Sequence, residues 1–435
     1  MRTIRPARRR VLAAGAATAS LALLVAGCGS GGDDGVAEDG SVTLVYRSWI
    51  PTVDQAADII DAFEAENPDI TIQYEGAEGA GDYLGELDNL ILAGEVPDIY
   101  GIQVGSAFDD YAEYALDTEE YASEWIDGIK PELLDSVTTS DGVVAAVPIL
   151  TAGSEFYLYN QTLFDELGLE LPTDYESLLA VADAARAAGY TPFAMGAADA
   201  WHADDFFVWL STQYGDGEAI YEAASGEGDW ADEDLVAAAE RWGELFSNGV
   251  FQEGATSTTI YPSARDDYLL ARKALAMPTG SWHVSATLSG NAETPGSAVE
   301  NDVLGMAPMP TLGDNEAKAV SGVDYSIALS AELEGPKLEA AQKFAEFLAV
   351  GEGQQIWANT MQGFPAAEGV SAELSEDENP VALESVQIVT DALADAEFPR
   401  KLTSENDGLE NDLGVVLQNI ANGADPATEL ATLNM

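Results

Sequence analysis

The chain has two histidines, and each directly follows a tryptophan: Trp201-His202 and Trp282-His283. An indole face can cover the flat C–H face of a sugar ring or box a cation, and a polar neighbour can hydrogen-bond a hydroxyl rim. The first pair sits in Ala-Asp-Ala-Trp-His-Ala-Asp-Asp (198–205), where small and polar neighbours leave no periodic apolar face to bury the ring. Trp201 is therefore a candidate plate. His202 either donates to a hydroxyl or simply opens a helix beside Asp204. The second pair follows the apolar run 274–277 and a Pro-Thr-Gly turn, where Gly280 permits close backbone approach and Trp282 is expected to face a cleft. Trp49 follows the run Val42–Tyr46, with Arg47 and Ser48 as potential hydroxyl donors, and hydrophobic packing is its alternative role. Gln103 lies just past the strand-like run that begins at Asp98, another rim position.

No catalytic constellation stands out. With 77 acidic residues, some carboxylate pair must fall at glycosidase spacing, so acid pairs carry no signal. HExxH, GxSxG, GxGxxG and EF-hand patterns are missing, as is any set of cysteine ligands. No catalytic residue, metal or cofactor is assigned.

The elements that must carry these loops read as alternating strands and helices, the pattern of an α/β fold with parallel sheets. Strands are expected at 42–46, 70–74, 99–100, 142–147, 155–159, 274–277, 303–307 and 325–329. Helices are expected at 55–66, 83–93, 175–188, 232–247 and 336–350, with a mostly helical part after 381. At 435 residues the chain exceeds the size of a single core, so two lobes are the default.

Charge is extreme: 17 Lys+Arg against 77 Asp+Glu give a net of −60. Five arginines lie in the first ten residues, and without them 12 basic groups face 77 acids, a net of −65. Such self-repulsion reads as adaptation to a saline habitat, with a generally acidic secreted protein as the alternative. Nucleic acid and other polyanions are poor partners.

The N-terminus has a basic start, an apolar stretch from Val11 to Ala26, and Gly27-Cys28, the pattern of a signal peptide over 1–27. Leu24-Val25-Ala26-Gly27-Cys28 resembles the bacterial lipobox, which implies lipidation of Cys28, the sole cysteine, and anchoring to the outer face of the membrane. Arg8-Arg9-Arg10 also resembles a twin-arginine signal, and the general export route stays open beside it. Residues 28–40 read as a flexible tether.

The body resembles the extracellular solute-binding proteins of bacterial ABC importers, in the carbohydrate-binding group that includes maltose-binding proteins. The resemblance is carried by Ser48-Trp49, Phe63 to Ile70, Val96-Pro97-Asp98-Ile99-Tyr100, Tyr157 to Asn160, Gly189 to Phe193 with Trp201, Gly280-Ser281-Trp282, Phe344 to Leu348 and Gly363-Phe364-Pro365. It implies two α/β lobes, each a mainly parallel sheet flanked by helices, in a monomer that closes on its ligand and docks on a permease. Chain crossings are then expected near Leu150–Gly153, Ala319–Gly322 and Gly363–Ala366. Lobe 1 would hold 41–151 and 322–364, and lobe 2 would hold 152–321 and 365–435. The resemblance also implies sugar stacking on Trp282 and a binding role at Trp49. Asp324 and Tyr325, just past the second crossing, would offer a carboxylate and a phenol where the lobes meet. A polyamine or other cationic solute in the same fold, or a secreted glycoside hydrolase, are the alternatives.

Overall fold

The computed structural model describes residues 35–434, apart from 38, 78, 79, 106, 107, 155, 376, 405 and 407. The leader 1–27, Cys28 and the tether up to residue 34 lie outside the described residues. The described end of the tether is not free: the Gly35 carbonyl accepts from the Thr43 amide at 2.8 Å, and Val36 bridges Val42.

Among the described residues, eleven strands form two sheets. They are β1 (Val42–Ser48), β2 (Ile70–Gly76), β3 (Ile99–Ile102), β4 (Val147–Ser154), β5 (Phe156–Asn160), β6 (Thr191–Phe193), β7 (Ala274–Thr279), β8 (Leu304–Pro308), β9 (Val320–Leu329), β10 (Phe364–Pro365) and β11 (Phe398–Pro399). The first sheet runs β10-β4-β9-β3-β1-β2, with β11 paired to β9; the second runs β6-β7-β5-β8. Helices flank both, as expected of an α/β fold. The strand directions are mixed, however. β1 is parallel to β2 and β3, and β6 to β7, but β9 runs antiparallel to β3 and β4, and β5 antiparallel to β7 and β8. Strands that enter a sheet after a crossover from the other run against the βαβ direction.

Local sequence explains the start of the first sheet well. In β1, Val42, Leu44, Tyr46 and Ser48 are buried and their neighbours are not, the period-two pattern of a half-buried strand. Helix Val53–Glu66 starts with a capping box in which Thr52 and Gln55 satisfy each other's backbone amides, and it buries Ala56, Ile59 and Phe63. The Asp98 carboxylate accepts the Val45 amide at 2.8 Å and pairs with Lys337 at 2.8 Å, which fastens β1 and helix Gly335–Ala349 to the start of β3.

One expected strand is displaced. Residues 142–146 form a turn and irregular chain, and β4 begins only at Val147. Ala145 and Ala146 are buried all the same, and the run pairs locally, Val144 bridging Thr138, instead of joining the main sheet.

The segments expected to cross lie side by side. β4 pairs with β9 from Val147–Ile327 to Ser154–Val320, and Phe364-Pro365 adds to β4 at Thr151 and Leu150. After β10 the chain enters helix Pro380–Ala394, whose Ser385 hydroxyl accepts the Met306 amide of β8 at 2.9 Å. It then returns to the first sheet through β11, a contact beyond the three crossings expected. It leaves again into helix Leu409–Ala421, which packs closely on helix Ala200–Ser211, Gly414 against Ala200.

Candidate ligand-binding site

Parallel strands converge their C-terminal ends on one edge of each sheet, where open α/β folds bind ligands. Trp49 follows β1 and Gln103 follows β3, while Asp324 on the antiparallel β9 reaches the same edge, since Ile102 pairs with Ser326. In the second sheet, Trp201 lies beyond β6 and Trp282 beyond β7, whose last residue pairs with Phe156 at the start of β5.

The second-sheet aromatics form one group. Trp201 stacks on Tyr261 with centroids 6.3 Å apart and planes 22° apart, and lies 6.1 Å from Trp282. The Trp282 indole N–H donates to the Tyr261 hydroxyl at 2.8 Å. The loops are tied from below. The Asp199 carboxylate accepts the Ile260 amide at 2.7 Å, and the Ser281 hydroxyl accepts the Gly153 amide of β4 at 3.0 Å. Gly280 is needed because the Trp282 ring folds back over it: a Cβ there would lie 1.9 Å from the ring.

Beside this group lies a buried charge cluster that no sequence motif announces. Arg400 follows β11, and its guanidinium is almost completely buried. It donates to Asp205 through Nη2 at 2.7 Å and Nε at 3.1 Å, to the Ser154 hydroxyl at 3.1 Å, and to Asp324 through Nη1. Its charge lies 4.8 Å from the Trp282 ring centroid, a cation–π contact. Lys401 reaches Asp205 at 3.1 Å and Glu410 at 3.4 Å. Burial alone would raise the Asp205 pKa, but Arg400 and Lys401 hold it below the ordinary carboxylate range. Burial, with Glu410 and Asp205 nearby, pushes Asp204 well above that range.

Asp205 joins two small cavities. One, about 10 Å³, is lined by Ser154, His202, Phe206, Thr279, Gly280 and Trp282 as well as Asp205. The other, about 30 Å³, lies between Gly105, which follows β3, and Asp204, Asp205, Arg400, Lys401 and Glu410. Roomier surface grooves, about 500 and 620 Å³, lie by Arg186 and by Arg265, outside this constellation. Among the described residues, no group of three or more His, Cys, Asp or Glu could hold a metal ion.

The predicted residues thus divide. Trp201, His202, Trp282 and, through Arg400, Asp324 come together. Trp49 and Gln103 are partly exposed at the facing edge, with Trp49 packed on Tyr83 and Tyr325. Tyr325 is not a rim residue: it is fully buried, and its hydroxyl meets those of Tyr46 at 2.5 Å and Ser48 at 2.9 Å. Ser48 is thereby buried and engaged too. Arg47 spends its charge on Glu75 at 2.5 Å and Glu86 at 3.6 Å. His202 wedges between the carbonyls of Gly196 and Pro278, so both ring nitrogens face the backbone. Arg400 and Lys401 were missed, and their adjacency alone does not mark them, since Arg272-Lys273 is a like pair outside the cluster.

The sequence profile of the family described as bacterial extracellular solute-binding protein matches residues 58–382, and the chain belongs to that family. Its members are exported proteins that bind solutes. A multiple sugar-binding protein of Streptococcus mutans is 23% identical over 367 residues, covering 82% of this chain and 83% of that one. The fold matches a structure from work on xylan utilization by Caldanaerobius polysaccharolyticus, with a TM-score of 0.76, 20% identity, and 90% and 99% of the two chains covered. It also matches an ABC substrate-binding protein from Listeria monocytogenes in complex with cycloalternan, with a TM-score of 0.70, 16% identity, and 90% and 97% covered.

Proposed function

We propose that this protein is the sugar-capturing subunit of an ABC importer, closing its two lobes over a neutral carbohydrate. The observation that carries this reading is the Trp201–Tyr261–Trp282 group set against Arg400, Asp205 and Asp324. Aromatic faces cover the C–H surface of a sugar, and a guanidinium held between carboxylates presents donors and acceptors at its rim. The Streptococcus relative is named for binding multiple sugars, and the Listeria protein holds cycloalternan, which supports a carbohydrate over a polyamine. Arg400 and Lys401 at the centre of the cluster also disfavour a polycation. Asp205 and Asp324 are both engaged by Arg400, so the reading gives neither an acid–base role.

Paired strands β4 and β9 serve as the hinge in this reading, with 41–151 and 322–364 on one side and 152–321 and 365–435 on the other. Cys28 carries the lipid that holds the protein at the membrane, and mass spectrometry of the protein from its membrane fraction would detect diacylglycerylated Cys28 if so. The acidic surface fits function in salt, and melting temperatures that do not move between low and high salt would remove that part. The ligand itself is tested by calorimetry with maltose, raffinose, xylobiose and spermidine. Binding of a sugar and not of spermidine is expected, and the reverse would overturn the carbohydrate assignment.

A further inference from the structure

Asp204, in helix Ala200–Ser211, holds an oxygen that nothing in the fold satisfies. The residue is only 6% exposed, and its Oδ1 is buried without a hydrogen-bond partner. A buried polar atom without a partner is costly, and in native structures such an atom calls for an explanation, such as a water, ion or ligand that completes it. Its neighbour in the helix, Asp205, is fully engaged by Arg400 and Lys401, so the contrast is local. Asp204 is among the residues that line the cavity of about 30 Å³, with Lys401, Glu410 and, from the opposite edge, Gly105. That volume holds one water or one hydroxyl-sized group.

We infer that this cavity is a subsite for a single hydroxyl of the bound sugar, which donates to Asp204 and accepts from the Lys401 ammonium. The inference rests on the carbohydrate reading above. A hydroxyl is both donor and acceptor, so, like the water it would displace, it satisfies an acceptor and a donor facing one small space. An ammonium could use Asp204 but would face the Lys401 charge. A carboxylate would meet Asp204, Asp205 and Glu410, and an acetamido group exceeds the space. The ligand is therefore a neutral sugar with a free hydroxyl at the position that enters the cavity, and uronic acids are rejected there.

The test uses the whole purified protein and a panel of maltose, raffinose, xylobiose and digalacturonic acid, followed by mono-deoxy analogues of the tightest binder. Asp204→Leu removes the polar group, and Asp204→Asn keeps its size and exchanges the acid for an amide. Expected results are no binding of digalacturonic acid and loss of affinity of about tenfold or more in Asp204→Leu. One deoxy position should weaken binding to the wild type and have no further effect in Asp204→Leu. Asp204→Asn should melt no lower than the wild type, since it relieves an unpaired buried acid, while still binding more weakly. A wild type that binds a neutral sugar and an Asp204→Leu that binds it within twofold would overturn the subsite alone. Failure of every neutral sugar to bind the wild type would overturn the carbohydrate reading and the subsite with it.

Discussion

Two of the aromatic clusters among the described residues lie one at the edge of each sheet, and their surroundings separate them. In the first, Trp49, Tyr83, Tyr46, Tyr325 and Trp357 pack on one another. Their hydroxyls close among themselves or on backbone: Tyr46, Tyr325 and Ser48 share hydrogen bonds, and Tyr83 donates to the Gly101 carbonyl at 2.8 Å. In the second, Trp201, Tyr261 and Trp282 adjoin charge. Arg400 lies over Trp282, Arg265 lies 5.2 Å from the Tyr261 centroid, and the Asp204 Oδ1 has no hydrogen-bond partner. An aromatic cluster that satisfies itself is core. One that borders buried, partly unsatisfied charge has capacity left for a ligand.

The largest test of this contrast removes the charge. Arg400→Met leaves Asp324 without its ion pair and Asp205 with Lys401 alone, inside a site already rich in carboxylates. Breaking one partner of a buried ion pair costs about 3–5 kcal/mol, so urea denaturation should show a loss of that order. An equal loss from Tyr325→Phe in the first cluster would erase the distinction.

The second test uses pH. The phenols of Tyr46, Tyr83 and Tyr325 are neutral throughout the acid range, and burial raises their pKa values further from it. In the second, His283 is held neutral: burial first, then the Arg265 charge, lower its pKa to about 3. A folded-state pKa below the unfolded value of about 6.5 gives stability that is complete above pH 6.5 and is lost as pH falls toward 3. The slope is about 1.4 kcal/mol per pH unit, on the order of 3 kcal/mol by pH 4.5. Replacing the imidazole, as in His283→Gln, should flatten that part of the profile; an unchanged slope would assign the acid loss to other groups.

Much of this was legible in the sequence, for identifiable reasons. Helix Tyr175–Ala188 could be read because Asp174 caps its start and Gly189 ends it in the left-handed region, both local signals. Trp201 could be picked out because its neighbours offered no apolar face, and Trp282 because it follows an apolar run and a Pro-Thr-Gly turn and matches the resemblance. Tyr325 could not be placed, since its partners Tyr46 and Ser48 lie far away in the chain and only the β9–β3–β1 order brings them together. Arg400 escaped notice because β11 has two residues, too few for any periodicity, yet that short pairing is what carries the guanidinium between Asp205 and Asp324.

A third test removes the plate and, with it, the cation–π contact of Arg400, but leaves the ion pairs in place. Trp282→Ala should weaken sugar binding at least about tenfold while the ion pairs persist. Gly280→Ala acts through the same ring, because its added methyl would occupy the space where Trp282 lies. Calorimetry should therefore rank both variants below the wild type in affinity. An unaffected Trp282→Ala would take this ring out of the site and leave Trp201 and Tyr261 as the remaining plates.

The smallest effect comes from the first cluster and gives the contrast its control. Tyr325→Phe deletes one hydroxyl that meets Tyr46 and Ser48, both buried. The loss is that of a neutral hydrogen-bond network in a packed core, about 1 kcal/mol in denaturation. Affinity should not move, because the ring and its packing on Trp49 remain. A fall in affinity comparable to that of Trp282→Ala would mean that the core position of Tyr325 is transmitted to the ligand through Trp49, which follows β1 on the same edge. The two clusters would then act as one site, with the first holding its plate from behind.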